Sequence, residues 1–138
     1  MTANVLIVDD SATMRGVIRR TLLMSGLDFG EIYEADNGIA ALAMMANHSV
    51  GLVLTDINMP DMSGDQLLLR MRADVRLRDI PIVVASIDGS ETHIRQLLEA
   101  GARGYLRKPF QPEALRNVLT PLIGTGQPSR MNSAKESF

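Results

Sequence analysis

The chain has 138 residues and a mass of 15.1 kDa, with 46% hydrophobic and 22% charged residues, a net charge of −2 and a pI near 5.6. That is enough for one filled core and too little for two, and it offers no basic field for nucleic acid, so a single soluble domain without direct DNA binding is expected. The absence of cysteine excludes a disulfide framework, a thiol nucleophile and a thiolate zinc site; without a signal-peptide pattern, or an apolar run approaching the ~20 residues that span a bilayer, a cytoplasmic protein with no membrane insertion is expected.

In chain order, Val5-Leu6-Ile7-Val8 reads as a first strand running into Asp9-Asp10. Ser11 reads as an N-cap, and Met14, Val17, Ile18 and Leu22 predict a one-sided helix ending near Ser25-Gly26. Glu31 to Ala35 predicts a second strand, Asn37-Gly38 a turn, and Ile39 to Ala46 a small apolar helix. Val50 to Thr55 forms the third strand and runs into Asp56. After the loop bracketed by Pro60 and Gly64, the third helix buries Leu67, Leu68 and Met71, and Arg70, Arg72, Arg76 and Arg78 read as a solvated segment.

Pro81 to Ala85 predicts a fourth strand closing on Ser86, and Ile94, Leu97 and Leu98 predict the buried stripe of the fourth helix. Gly104 to Leu106 gives a short fifth strand followed by Lys108-Pro109. The last helix starts at Pro112, carries Leu115, Val118, Leu119 and Leu122, and is expected to be kinked or stopped by Pro121. The polar, unpatterned residues 124–138 are expected to be a disordered tail, leaving residues 1–123 as the domain. The methionines are assigned to core gap-filling, and His48 and His93 lack an evident paired ligand.

Strands alternating with helices predict an open parallel α/β sheet with right-handed crossovers and helices on both faces, whose ligand chemistry lies beyond the carboxyl ends of the strands. Asp9, Asp10, Asp56, Ser86 and Lys108 all fall on that rim. Each alone has a bland reading as a turn, cap or solvated charge, and it is their coincidence on one rim that points to a site. Three crowded carboxylates call for a cation, and oxygen ligands suit Mg²⁺, which bridges to phosphoryl oxygens. Lys108 can neutralise a second phosphoryl oxygen and Ser86 can donate to a third, while Asp56 can attack phosphorus to form an acyl phosphate.

With Val8-Asp9-Asp10-Ser11, Thr55-Asp56-Ile57-Asn58-Met59-Pro60, Ser86 and Lys108-Pro109-Phe110 in place, residues 4 to 123 resemble the receiver domain of two-component response regulators. The resemblance implies a flavodoxin-like, doubly wound, five-stranded parallel sheet in a three-layer α/β/α arrangement with five helices. It also implies that Asp56 is a phosphoacceptor supplied by a histidine kinase or phosphotransfer protein. Asp10, Asp56 and the carbonyl of Asn58 would bind Mg²⁺ directly, with Asp9 acting through water. Ser86 and Tyr105 would form a switch pair, Lys108 would hold the phosphoryl group, and the bond to Pro109 would be cis. Partners would dock on the fourth helix, fifth strand and fifth helix, where Arg95, Gln96, Glu99 and Tyr105 are expected to be exposed.

Two positions depart from the family pattern. Ile87 follows the switch hydroxyl where a small residue is usual, and is expected to crowd the phosphoryl site and modulate its rates; Ser63 stands where Asp is frequent, and either caps the third helix. With no output domain after the receiver-like segment, a stand-alone signalling protein is expected, monomeric or dimerising on phosphorylation, that does not turn over an external substrate; Ser11-Ala12-Thr13-Met14-Arg15 is similar to single-domain chemotaxis-type regulators, which points to a motor or kinase-array partner. The alternative, a phosphatase of the haloacid-dehalogenase type, wants a general-acid Asp two residues after its nucleophile, where this chain has Asn58. A flavin carrier is disfavoured because Asp9-Asp10 would repel the flavin phosphate.

Overall fold

The computed structural model describes residues 2–87 and 89–123. Ten elements alternate: β1 (Val5–Val8), α1 (Ala12–Met24), β2 (Ile32–Ala35), α2 (Gly38–Asn47), β3 (Leu52–Thr55), α3 (Gly64–Ala73), β4 (Ile82–Ser86), α4 (Glu91–Glu99), β5 (Gly104–Arg107) and α5 (Pro112–Ile123). The strands form one parallel sheet in the order β2-β1-β3-β4-β5, the expected flavodoxin-like arrangement. The winding direction reverses between β1 and β3, so the crevice at their carboxyl ends is the topological switch point.

Every residue of β1, β3 and β4 is buried, which is why these strands read as unbroken apolar runs. Alternate side chains divide between two cores. Leu6, Val8, Val53, Ile82 and Val84 pack with Met45, Leu67, Leu68, Met71 and Leu97 from α2, α3 and α4. Val5, Ile7, Leu52, Leu54, Val83 and Leu106 pack with Ile18 and Leu22 of α1 and Leu115 and Leu119 of α5. Met45, Met62 and Met71 are buried in the first of these cores, in the gap-filling role expected of them.

Several local expectations are revised. The third strand begins at Leu52, because the Gly51 and Leu52 N–H groups are both taken by the Asn4 carbonyl. Asn37 is the N-cap of α2, accepting from the Ala40 N–H, and Gly38 is the first helical residue. In α1, Val17 is 46% exposed and Thr21 takes its place in the buried stripe. The Thr21 hydroxyl donates to the Val17 carbonyl at 2.8 Å, which lets a polar residue face the core. Leu98 is 45% exposed, leaving Leu97 as the fully buried anchor of α4. Arg70 and Arg72 lie within the last turn of α3 and not after it. Pro121 does not stop α5: the helix runs through it to Ile123, forgoing the one N–H bond that a proline cannot make. Residues 124–138, assigned to a tail, lie outside the described residues.

Ser63 forms a complete capping box, its hydroxyl accepting from the Gln66 N–H and the Gln66 side chain accepting from the Ser63 N–H, so serine is an adequate cap here. The division of buried from exposed positions makes a direct stability prediction. Leu119→Ala should lower unfolding free energy by about 2–5 kcal/mol and Val17→Ala should change it by less than about 0.5 kcal/mol, as measured by urea denaturation.

Candidate functional site

The hydrogen-bond ladder continues past the strand ends and carries the candidate residues with it. The Asp9 N–H bonds the Ala35 carbonyl at 3.1 Å, the Asp56 N–H bonds the Val8 carbonyl at 2.8 Å, and the Lys108 N–H bonds the Ser86 carbonyl at 2.9 Å. Residues from distant parts of the chain are thereby set side by side. Carboxylate oxygens of Asp9, Asp10 and Asp56 all lie within 4.8 Å of one another. They line a cleft of about 250 Å³ with Ser11, Met14, Asn58, Ile87 and Lys108.

Lys108 reaches across the sheet from the end of β5. Its Nζ donates to Asp9 Oδ2 at 2.6 Å and stands 3.5 Å from Asp56 Oδ1, and its side chain is only 7% exposed. The remaining Asp9 oxygen, Oδ1, accepts from the Ser11 N–H at 2.9 Å, so Asp9 is buried and fully engaged. Asp56 Oδ1 also accepts from the Ile57 N–H at 2.8 Å, while Asp56 Oδ2 and both Asp10 oxygens have no protein partner among the described residues. Burial is the largest influence on Asp56 and pushes its pKa above the ordinary carboxylate range. The Lys108 ammonium and the Ile57 N–H pull it back, and the neighbouring Asp9 charge pushes it up again.

The loop after Asp56 is held close. The Gly64 N–H bonds the Ile57 carbonyl at 2.8 Å, and a Cβ at Gly64 would collide with the Asp56 carbonyl oxygen, so only glycine lets α3 start this near the acid. Asp61 adopts a left-handed backbone with φ 68°, a conformation for which Asp is among the better side chains.

The structure thus brings Asp9, Asp10, Asp56, Asn58, Ile87 and Lys108 into one cleft. Ser86 sits at the end of β4, buried, beside the Lys108 main chain. The Lys108–Pro109 bond is cis. Ile87 is 71% exposed and stands at the mouth of the cleft. Tyr105 is half-buried against the core and not exposed as expected, its hydroxyl directed at the Ser86 carbonyl 3.4 Å away, whereas Arg95, Gln96 and Glu99 are exposed.

Sequence reading overlooked three features. His93 Nε2 lies 3.2 Å from Asp65 Oδ2, pairing α4 with α3, and His48 stacks on Tyr33 with ring centroids 4.6 Å apart. Arg15 and Arg19 converge on Glu34 of β2, and Arg15 also reaches the Asp9 carbonyl. The spacing of two arginines one helical turn apart was the available signal for the last of these. A larger cleft of about 520 Å³ between the C-terminal parts of α2 and α3 is lined by Leu42, Met45, Arg70, Asp74, Leu77 and Ile80 among others, and among the described residues it holds no carboxylate cluster. Among the described residues no helix is long and apolar enough to cross a membrane.

The response regulator receiver domain family matches residues 5–120. A chemotaxis protein CheY homolog of Campylobacter jejuni is 38% identical over 122 residues, covering 88% of this chain and 92% of that protein. Chemotaxis protein CheY1 of Helicobacter pylori is 39% identical over 121 residues, covering 87% of this chain and 96% of that protein. Among solved structures, the chemotaxis response regulator CheY4 of Vibrio cholerae matches with a TM-score of 0.78 at 31% identity, covering 89% of this chain and 100% of that one.

The raised Asp56 pKa carries a stability consequence. A carboxyl that holds its proton more tightly folded than unfolded loses folding stability as pH rises from the ordinary carboxylate value through the raised one. In metal-free buffer Asp56→Asn should therefore be more stable than wild type at neutral pH. The gain should vanish below the ordinary carboxylate range, and urea denaturation across a pH series would read it.

Proposed function

The chain belongs to the response regulator receiver domain family, and from that premise we propose that Asp56 accepts a phosphoryl group from the phosphohistidine of a histidine kinase or phosphotransfer protein. The observation that supports this best is the cleft itself: three carboxylates are gathered with an ammonium that contacts two of them, and Asp56 keeps an oxygen without a protein partner among the described residues. That oxygen forms the bond to phosphorus as the phosphorus–nitrogen bond to the donor imidazole breaks, giving an aspartyl phosphate and a free histidine on the donor.

The donor set fits a hard divalent cation, because it consists of oxygens, carries excess negative charge and includes an Asp10 carboxylate with no protein partner among the described residues. Asp10, Asp56 and the Asn58 carbonyl would hold Mg²⁺, with Asp9 acting through water. When bound, the ion supplies neutralisation of charge on the transferring phosphoryl oxygens. Lys108, already held between Asp9 and Asp56, takes a second phosphoryl oxygen, and the Ser86 hydroxyl donates to a third.

Phosphorylation shifts a population, because contacts from Ser86 and Lys108 to the phosphoryl group are satisfied better in one arrangement than in the other. Tyr105 follows, since its hydroxyl already leans on the Ser86 carbonyl. The readout surface is the face of α4, β5 and α5, where Arg95, Gln96, Leu98 and Glu99 are exposed and a downstream protein of a chemotaxis or motility pathway docks. The receiver unit takes up residues 1–123, acts as a monomer or a phosphorylation-dependent dimer, and catalyses only its own phosphorylation and dephosphorylation. Similarity to chemotaxis proteins over nearly the whole chain supports this reading.

Incubation with Mg²⁺ and acetyl phosphate should add one phosphate to the wild type and none to Asp56→Asn, as read by intact mass; an equal gain in both would refute the assignment. Ile87, at the mouth of the cleft, is expected to slow transfer or hydrolysis by crowding the phosphoryl group. Ile87→Ala should then be faster in at least one of the two rates, and identical rates in both directions would remove that role.

A further inference from the structure

Asp10 is the one acid of the cleft whose carboxylate makes no contact with a protein donor among the described residues. Its direction is set by the backbone that carries it, above all by the peptide plane joining it to Asp9. The carbonyl of that plane is bound: Arg15 Nη1 donates to the Asp9 oxygen at 2.7 Å. The same guanidinium donates through Nε to Glu34 Oε1 at 2.9 Å, and its side chain is only 17% exposed. Arg19 holds the other oxygen of Glu34, with Nε 2.9 Å and Nη2 2.8 Å from Oε2, and also donates to the Ile32 carbonyl at 3.2 Å.

These contacts form a chain from the edge strand into the cleft. Burial alone would raise the Glu34 pKa, but the two guanidiniums outweigh it and hold the carboxyl below its ordinary range. Glu34 therefore stays ionised and keeps Arg15 oriented. With its N–H bound to the carbonyl of Ala35, the residue after Glu34, and its carbonyl bound to Arg15, Asp9 is fastened to β2 on both sides of its Cα, and the Arg15 bond is the one made to the Asp9–Asp10 peptide.

We propose that Arg15 is a positioning residue for the cation site, fixing the Asp9–Asp10 peptide so that the Asp10 carboxylate faces Asp56, with Glu34 on β2 as its anchor. The inference rests on reading the acid cleft as the Mg²⁺ site. Because Arg15 is itself a cation, its charge and its positioning role have opposite effects on cation binding. By charge alone, removing a guanidinium near three carboxylates would tighten cation binding. By positioning, removal loosens it, in the way that loss of a residue supporting a metal ligand commonly costs about tenfold or more in affinity.

Isothermal titration of the metal-free full chain with MgCl₂ separates the two. Arg15→Met should bind Mg²⁺ roughly tenfold more weakly than wild type. Arg15→Lys should also be weaker, since a single ammonium does not reproduce the fork that spans the Asp9 carbonyl and Glu34. Arg19→Met removes an equal charge from the same carboxylate without touching Asp9, and should change affinity less than Arg15→Met. Thermal melts without metal confirm that each variant is folded, and Arg15→Lys carries the test if Arg15→Met is not. The rate of phosphorylation by acetyl phosphate in Arg15→Met should approach wild type at saturating Mg²⁺, the loss being confined to the half-saturating concentration.

Equal or tighter Mg²⁺ binding by Arg15→Met, or an equal loss in Arg19→Met, would overturn the proposal. A wild type that binds no Mg²⁺ would overturn both this proposal and the reading beneath it, whereas a binding wild type with unchanged Arg15 variants would overturn this proposal alone.

Discussion

The fold is organised around a charge imbalance placed where the sheet can tolerate it. Asp9, Asp10 and Asp56 are gathered at the carboxyl ends of β1 and β3, and among the described residues the Lys108 ammonium, 99 positions from Asp9, is the cation that contacts two of them, Asp9 and Asp56. Burying the Lys108–Asp9 pair costs desolvation on both sides, and a neutralised cluster would need more positive charge than the lysine supplies. The cleft is therefore incomplete by construction: two acids are left over, and they face the solvent side, where a cation and an anionic group can enter together.

Parallel pairing makes this imbalance possible. The ladder runs one residue beyond β1, β3 and β5, so the acids and the lysine inherit positions from buried strands instead of from mobile loops. Lys108 reaches its partners only because β4 lies between β3 and β5 and brings Ser86 alongside it. The proposed switch uses the same geometry. Ser86 and Lys108 are joined by a main-chain bond, and the Tyr105 hydroxyl rests on the same Ser86 carbonyl, so a group that draws Ser86 and Lys108 inward acts on the exposed side of β5 and α4 through contacts already present.

The parts of this arrangement legible in the sequence are those set by local rules. Continuous apolar runs gave the buried strands, and the acids and lysine at their ends gave the cleft, because a strand's last residue is visible without knowing what lies next to it. Helix faces were less legible. Val17 and Leu98 fit an apolar stripe by spacing, yet each is only about half covered, since a period of 3.6 leaves flanking positions whose burial depends on the neighbour's shape. Thr21 is buried in α1 because its hydroxyl is satisfied within its own helix, which composition does not reveal. The pairing of His93 with Asp65 was invisible for a different reason: it joins two helices whose relative position only the packed core decides.

The Arg15, Arg19 and Glu34 cluster lies between these cases. The arginines were one helical turn apart and Glu34 interrupted an otherwise apolar edge strand, but their joint meaning depended on α1 lying over β2. Once placed there, Glu34 serves two ends at once: it lets a charged residue sit on a partly covered edge strand, and it turns one guanidinium toward the Asp9 carbonyl. The acid cleft is thus fastened from both sides of the sheet, by Lys108 from β5 and by Arg15 from the β2 side. The two cations act differently, because Lys108 meets the carboxylates and offsets their charge, whereas Arg15 meets only the main chain and spends its charge on Glu34. Net charge in the cleft is left to Lys108 and whatever enters from solvent, while its geometry is held by a cation whose own charge is already balanced elsewhere.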